Sequence, residues 1–262
     1  MRVSLDQPDT FVKSQTLTRD AFLGGRLTVS QPRNGFRAGL DSVLLGAAVC
    51  PAAESLLDLG AGVGTASLVA LAHERGLGAV LVDRDAGMLA LAMANAETNG
   101  VGDQVRTVAL DVTAAGAERQ SAGLKPDSFS AVIANPPFFD AAAGTRAGEP
   151  ARARARHMAA GDLDLWVRAA AAAAAPGGEI IFVYPAAGLA PLLAAFSQRF
   201  GAVTILPLSP RSSEPASRVL LRGTKGSRAP MTLLATRALH IAGRDFTPEF
   251  EAIFRGQARL DW

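Results

Sequence analysis

Short apolar runs alternate with helical patterns through residues 55–134, and this alternation constrains the fold more than any other feature of the sequence. Each apolar run has the length and composition of a buried strand. The predicted strands are Ser55–Leu59, Ala79–Asp83, Gln104–Ala109 and Phe129–Ala134. Helical patterns cover Thr65–Arg75 and Ala86–Asn99, and a linker is predicted over residues 114–127. Strands that alternate with helices predict an α/β fold with a parallel, doubly wound sheet.

The later part of the chain extends this pattern. Helices are predicted over residues 163–175 and 189–200, with strands over 179–184, 203–208 and 217–222. The last two strands are joined by too few residues for a crossover helix, which predicts that they run antiparallel. We therefore expect seven strands, mostly parallel, with an antiparallel last strand. A further strand over 231–241 and a short helix over 248–254 are predicted beyond them.

The chain is expected to divide near residue 50. Residues 1–50 are predicted to form an N-terminal cap or substrate region, with Asp41 as the N-cap of a helix over 42–49. Residues 51–262 are predicted to form the main domain with a C-terminal extension.

Composition indicates a folded protein of a reducing compartment. Hydrophobic residues make up 49% of the 262 residues and charged residues 19%, which argues against disorder. The single cysteine, Cys50, excludes an intramolecular disulfide and a cysteine-based metal cluster. We see no signal peptide and no apolar stretch long enough to cross a bilayer. The expectation is a cytoplasmic protein with no membrane partner and no metal.

A rigid segment, Asn135-Pro136-Pro137-Phe138, directly follows the fourth predicted strand, with Phe139 after it. The prolines end the strand and hold Asn135 in extended geometry. Ligands of open α/β sheets bind at the carboxyl ends of the strands. There, the carbonyl oxygens of Asn135 and Pro136 could accept hydrogens from an amino group, and Phe138 could stack on a flat ring. We predict these three as catalytic residues, with Pro137 and Phe139 as substrate contacts; the alternative is a proline-stiffened strand end with a buried Phe.

A glycine loop follows the first predicted strand. Its glycines, Gly60, Gly62 and Gly64, depart from the dinucleotide fingerprint because the third position of that fingerprint falls on Thr65. S-adenosylmethionine has no pyrophosphate and fits such a loop. Acidic residues then stand at or just after the strand ends. Asp58 is predicted to orient the ligand's amino group or brace the loop, Asp83 to bind the ribose hydroxyls and Asp111 to accept from the adenine amino group.

These residues together resemble the Rossmann-like class I S-adenosylmethionine-dependent methyltransferases. Residues 58–64 resemble their first motif, Asp83 their ribose acid and Asp111 their adenine-side acid. Residues 135–138 resemble the fourth motif of amino methyltransferases, which act on adenine N6, guanine N2 or protein glutamine.

Within that group the chain most resembles the bacterial tRNA adenine-N6 methyltransferases, which modify an adenine beside a valine tRNA anticodon. Three stretches carry the likeness: residues 23–27, 35–45 and 214–221. Phe138 departs from the Tyr of many relatives, and residues 231–262 extend beyond the shorter ones. The resemblance implies tRNA as partner.

Three other functions stay open at this stage. A protein glutamine-N5 methyltransferase has a nearly identical fourth motif. A small-molecule O-methyltransferase usually needs a His or Lys base or a metal, and the sequence has three histidines, His73, His157 and His240. A non-catalytic module that binds S-adenosylmethionine or RNA is disfavoured by the intact Asn135.

Basic residues form two sets, although the net charge is only +2. One set follows Asn135 and comprises Arg146, Arg152, Arg154, Arg156 and His157. The other comprises Arg211, Arg218, Arg222, Lys225 and Arg228. We predict that four of these arginines bind the substrate by contacting RNA phosphates: Arg152, Arg154, Arg156 and Arg218. Arg222 is expected to make a similar phosphate contact. The alternative is that both sets are solvated surface arginines.

Overall fold

The computed structural model of the protein describes residues 16–35, 37–137 and 162–262. Its centre is a twisted sheet built around six parallel strands and one antiparallel strand. Those strands are β3 (Ser55–Leu59), β4 (Gly78–Asp83), β5 (Val105–Ala109), β6 (Phe129–Ala134), β7 (Ala174–Pro185), β8 (Phe200–Ser209) and β9 (Arg218–Lys225). Their order across the sheet is β5-β4-β3-β6-β7-β9-β8. The predicted α/β class with a mostly parallel sheet is confirmed.

The antiparallel strand is β9, which lies between β7 and β8 and runs against both. This confirms the prediction drawn from the short connection between β8 and β9. Chain direction also matters for placement: because β9 is reversed, Arg218 at its start pairs with Pro185 and Leu208 at the ends of their strands. Arg218 therefore lies at the carboxyl edge of the parallel strands.

Helices cover both faces of the sheet. They are α1 (Leu40–Ala47), α2 (Thr65–His73), α3 (Ala86–Thr98), α4 (Gly116–Ser121), α5 (Asp162–Ala173), α6 (Leu189–Ser197) and α7 (Pro248–Phe254). Alternate residues of the central strands enter two separate cores. Ile181 and Val183 pack on the side of α1, α2, α3 and α7, whereas Ile180 and Phe182 pack on the side of α5 and α6. Burial on both faces explains why the strands are continuous apolar runs.

The predictions differed from the structure in several places. The predicted linker over 114–127 contains helix α4. The strand predicted to begin at Glu179 begins at Ala174 instead, and its pairing with β6 shifts register at a bulge between Phe129 and Ala131. The strand predicted over 231–241 is reduced to two short strands beside β8, β10 (Thr232–Leu233) and β11 (Arg237–Ala238). Asp41 is not an N-cap: α1 starts at Leu40 after Gly39, and the Asp41 carboxylate instead pairs with Arg218.

The N-terminal region and the C-terminal extension contact each other. Residues 17–32 form an antiparallel hairpin of β1 (Leu17–Phe22) and β2 (Leu27–Pro32), and Arg26 in its turn donates to the Gly256 carbonyl at 2.6 Å. The C-terminal extension then crosses α1. Leu260 donates to the Ala47 carbonyl at 3.0 Å, and the Trp262 ring nitrogen donates to the Ala48 carbonyl at 3.2 Å. Helix α7 and the segment after it thus pack on the α1 side of the sheet, whereas β10 and β11 lie beside β8 at its edge. The division of the chain at residue 50 stays a prediction.

Candidate active site

The candidate site lies where the strand order reverses. The chain leaves β3 toward β4 on one side, whereas β6 lies on the other, so a crevice opens at the carboxyl ends of β3 and β6. The loop of residues 60–64 follows β3, and Asn135 follows β6. The sequence placed both segments correctly at this edge, although 75 residues separate them.

The three glycines of the loop meet different constraints, although all have positive φ. A Cβ at Gly60 would lie 2.5 Å from the ring of Trp166, and one at Gly64 would lie 2.9 Å from Leu81. A Cβ at Gly62 would meet no atom within 4 Å. Gly60 and Gly64 therefore allow close packing of the protein, whereas Gly62 leaves space open beside the loop.

Backbone hydrogen bonds and one carboxylate hold the loop. The amides of Gly60 and Ala61 both donate to the Val82 carbonyl, at 2.8 and 3.0 Å. The Gly62 amide donates to Asp83 Oδ2 at 2.9 Å, and the Asp85 amide donates to Asp83 Oδ1 at 2.9 Å. Burial raises the pKa of Asp83 above its usual value. Asp83 thus stabilises the loop through the Gly62 amide. Its contact with ribose stays a prediction.

Asp58 lies beneath the loop and is almost fully buried. Its Oδ2 accepts a hydrogen bond from the Ser67 hydroxyl at 2.8 Å. Burial raises the Asp58 pKa from 3.8 to about 7, and the negative charge of Asp83 adds to this effect. Among the described residues, no positively charged side chain contributes to this shift, so an ionised Asp58 suits a carboxylate that receives a cationic ligand group.

Asp111 has a different environment from Asp58 and Asp83. It is exposed at the end of β5, and its Oδ1 accepts from both the amide and the hydroxyl of Thr113, at 2.8 and 2.7 Å. The hydrogen bond from the Thr113 side chain is the main cause of its lowered pKa. Asp111 is therefore ionised at neutral pH at the carboxyl end of β5, two strands from β3, while its contact with adenine stays a prediction.

Asn135 shares one pocket with the glycine loop and Asp58. The pocket has about 440 Å³ of empty volume, counted to its open mouth. Its lining residues are Ala38, Ser42, Leu45, Asp58, Gly60, Ala61, Gly62, Val63, Thr65, Ala66, Met88 and Asn135. Within the described part of the chain, no hydrogen bond engages the Asn135 amide. The two motifs predicted to hold cofactor and substrate therefore open into the same space.

The described residues include only part of the predicted substrate site. Asn135, Pro136 and Pro137 are described, and Pro136 is buried. Phe138, Phe139, Arg152, Arg154 and Arg156 lie outside the described residues, so their predicted roles stay predictions.

Several side chains of the second basic set form ion pairs or ring contacts with other residues of the protein. Arg218 lies 3.0 Å from Asp41, and Arg211 lies 2.8 Å from Glu214. Lys225 pairs with Asp127, and the Arg222 guanidinium lies 4.7 Å from the centre of the Trp262 ring. The structure thus gives these side chains intramolecular contacts, and the phosphate contact of Arg218 stays a prediction.

Comparison with known proteins identifies the family. The family model described as "Methyltransferase small domain" matches residues 41–206, which include the glycine loop and Asn135. The chain belongs to this family.

Similar proteins agree with this assignment. The tRNA1(Val) (adenine(37)-N6)-methyltransferase of Dickeya chrysanthemi is 26% identical over 234 residues, which cover 88% of this chain and 89% of the relative. The protein of the same name from Shewanella halifaxensis is 30% identical over 159 residues, covering 60% of this chain and 61% of the relative.

Two solved structures extend the comparison. One, described as a predicted O-methyltransferase of Agrobacterium tumefaciens, has a TM-score of 0.71 and 28% identity, and the match covers 84% of this chain and 98% of that one. A T. thermophilus 16S rRNA methyltransferase in complex with AdoMet and guanosine has the same fold, with a TM-score of 0.53 and 21% identity; the match covers 82% of this chain and 52% of that one.

S-adenosylmethionine is the methyl donor of this methyltransferase, and it supplies a methyl group carried on a sulfonium. Two features of the pocket fit this ligand. The open space beside Gly62 lets a ligand approach the backbone closely. The hydroxyl of Thr65, which lines the pocket, is buried and has no hydrogen-bond partner among the described residues. Asp58, Asp83, Asp111 and the glycine loop are the residues that would hold the donor.

Sequence reasoning missed several residues of this methyltransferase site. Ser67 donates a hydrogen bond to Asp58, and Trp166 packs on Gly60. Ala38, just before α1, and Ser42 of α1 line the pocket. Ser67 lies in the first turn of α2, nine residues after Asp58. Its place on the helix that directly follows the glycine loop is the signal that could have indicated it. Trp166 gave no local signal because its contact joins distant parts of the chain.

Two other kinds of feature are absent from the described residues. None of their helices is long and apolar enough to cross a bilayer. In the same residues, no three His, Cys, Asp or Glu side chains are grouped so that they could hold a metal ion.

Proposed function

We propose that this methyltransferase transfers a methyl group to the exocyclic N6 of an adenine in tRNA. The observation that carries the proposal is that Asn135, held by Pro136 and Pro137, opens into the pocket formed by the glycine loop. The names of the relatives from Dickeya and Shewanella support the same substrate.

The proposed chemistry depends on orientation and needs no strong base. The lone pair of an aryl amine is delocalised into the ring. Hydrogen bonds from the amine to Asn135 Oδ1 and the Pro136 carbonyl localise that lone pair and direct it toward the pocket. They also stabilise the positive charge that develops on nitrogen during transfer. The target base must leave its stack to reach Asn135, and Phe138 is proposed to receive its ring.

The main alternative substrate is a hydroxyl group, because the Agrobacterium structure is described as an O-methyltransferase. A hydroxyl acceptor needs a group that removes its proton. Among the described residues that line the pocket, Asp58 is the one titratable side chain, and it lies beneath the loop bonded to Ser67. Asn135 offers the pocket an amide oxygen, which can accept a hydrogen bond from an amine but is too weak a base to remove the proton of a hydroxyl. The other candidate acceptor is the amide nitrogen of a protein glutamine. Identification of the methylated product distinguishes it from adenine N6.

The test combines product identification with two Asn135 variants. Purified protein, S-adenosylmethionine and unmodified valine tRNA transcript should yield N6-methyladenosine on nucleoside mass spectrometry. Asn135→Ala should retain cofactor affinity by calorimetry and lose about 10²–10³ in kcat, the usual loss for one well-placed transition-state contact. Asn135→Asp keeps an acceptor oxygen and should lose less.

Control and refutation follow from the same assays. Asn34→Ala changes an exposed asparagine in the turn after β2 and should have normal turnover. Methylation of a glutamine or of a hydroxyl group, or near-normal turnover by Asn135→Ala on tRNA, would refute the proposal.

A further inference from the structure

Asn95 of α3 and Asn99, the C-cap residue that directly follows α3, pair with the outer edge of the N-terminal hairpin. Asn95 Oδ1 accepts from the Ser30 amide at 2.8 Å, and its Nδ2 donates to the Ser30 carbonyl at 3.0 Å. Asn99 makes the same two bonds with Thr28, at 3.0 and 2.8 Å. Each carboxamide thus replaces a peptide group of a neighbouring strand, and β2 is hydrogen-bonded on both edges.

The spacing of the residues explains why this arrangement fits. Four residues of helix advance by about 6 Å, and two residues of strand advance by about 6.8 Å. Side chains four apart on a helix point in the same direction, and so do the backbone groups of alternate strand residues. Asn95 and Asn99 therefore meet Ser30 and Thr28 in register, and α3 is fixed along the hairpin at two points.

Asn95 has a further contact that Asn99 lacks. Its Nδ2 also donates to the carbonyl of Val63 at 3.1 Å, so both amide hydrogens are used. Val63 lies between Gly62 and Gly64 in the cofactor loop. The second donor bond of Asn99 instead returns to the Asn95 carbonyl of its own helix, at 2.7 Å. Asn95 is 1% exposed, and its one side chain bonds both the hairpin and the loop.

The hairpin also reaches the pocket from its other wall. The buried Gln31 of β2 accepts a hydrogen bond from the Ala38 amide at 2.9 Å. Ala38, together with Ser42 of α1, lines the pocket opposite the glycine loop. A shift of β2 would therefore move both walls, one through Asn95 and the other through Gln31.

We propose that Asn95 is a positioning residue that couples the cofactor loop to the N-terminal hairpin, so that an occupied loop holds the hairpin in place. The coupling is carried by the Val63, Asn95 and Ser30 hydrogen bonds. The coupling is reciprocal: a partner that binds and stabilises the hairpin must raise cofactor affinity by the same factor by which the cofactor raises affinity for that partner. The inference requires cofactor binding and does not require tRNA, so it stands or fails separately from the proposed substrate.

The first test uses the unaltered protein. Residue-resolved hydrogen exchange is measured with and without saturating S-adenosylhomocysteine. We expect the bound ligand to slow exchange of the Ser30 amide, which bonds Asn95, by at least threefold more than that of the Arg33 amide. The Arg33 amide bonds the Thr16 carbonyl within the hairpin region and serves as internal reference. Equal effects at both amides, or none at Ser30, would overturn the coupling.

The second test compares the two asparagines. Asn95→Ala should weaken S-adenosylhomocysteine binding about fivefold, the usual worth of one hydrogen bond, and should abolish the ligand effect at Ser30. Asn99→Ala removes the bonds to Thr28 and leaves the Val63 bond, so affinity and the effect at Ser30 should persist. Equal loss of affinity in both variants would show a purely structural role. If Asn95→Ala does not fold, the exchange measurement on the unaltered protein decides alone.

Discussion

Asp58 should make the protein less stable as the pH rises. An ordinary carboxylate in an ion pair, with a lowered pKa, has the opposite effect. Burial raises its pKa to about 7 in the folded protein, against 3.8 for the ordinary side chain. Between these pH values the folded state holds a proton that the unfolded chain has lost. The free energy of unfolding contributed by Asp58 therefore falls as pH rises from about 4 to about 7.

The magnitude follows from the separation of the two pKa values. The two pKa values differ by about 3 units, which corresponds to about 4 kcal/mol of unfolding free energy. About 3 kcal/mol of this is lost between pH 5 and pH 8. Asp58→Asn keeps the shape of the side chain, can still bond Ser67 and cannot ionise. Relative to the unaltered protein, the variant should therefore gain about 3 kcal/mol of stability between pH 5 and pH 8.

Urea unfolding of both proteins at pH 5, 6, 7 and 8, without ligand, measures this difference. Other titrating groups contribute to both proteins, so their effects cancel in the comparison. Asp103→Asn provides a control for the loss of one carboxylate at an exposed position. A constant difference between Asp58→Asn and the unaltered protein would show that Asp58 is ionised without penalty in the folded state.

Three further predictions concern binding. Asp83→Ala should weaken S-adenosylmethionine binding severely, since it removes a charged acceptor and the brace on Gly62; unchanged affinity in calorimetry would exclude Asp83 from the site. Gly62→Ala should also weaken binding by calorimetry, because its φ of 55° disfavours a side chain and the new methyl occupies the open space beside the loop; normal affinity would place the ligand elsewhere. Replacing Arg152, Arg154 and Arg156 together by Ala should lower tRNA affinity and reduce its slope against salt concentration, whereas an unaltered slope would show that they do not contact phosphates.

The regular elements could be predicted because their signals are local. Apolar runs and turn residues placed β3 to β6 within a residue or two, and the short connection between β8 and β9 indicated their relative direction. Asp41 was misassigned because its preference for a helix start competed with a partner 177 residues away, Arg218. No local pattern reveals such a partner.

The candidate site divides in the same way. The glycine loop, Asp58 and Asn135 were predicted from the rule that ligands bind at strand ends, and the structure brings them to one pocket; their contacts with ligands stay predictions. The α1 wall of the pocket and Asn95 were not found, because their roles arise from packing between segments that are distant in sequence. Asn95 resembles any polar residue on a helix until β2 lies against it.

The C-terminal extension also affects when the pocket can form during synthesis. The wall of the pocket that α1 provides is covered by the segment that carries Leu260 and Trp262, and 214 residues separate Ala48 from Trp262. At the usual rate of translation, that stretch takes roughly 10–40 s to emerge. Once α2 has emerged, α1 can pack against it but still lacks its outer cover. A nascent chain is therefore expected to acquire cofactor affinity late, after the strands of its sheet are already present.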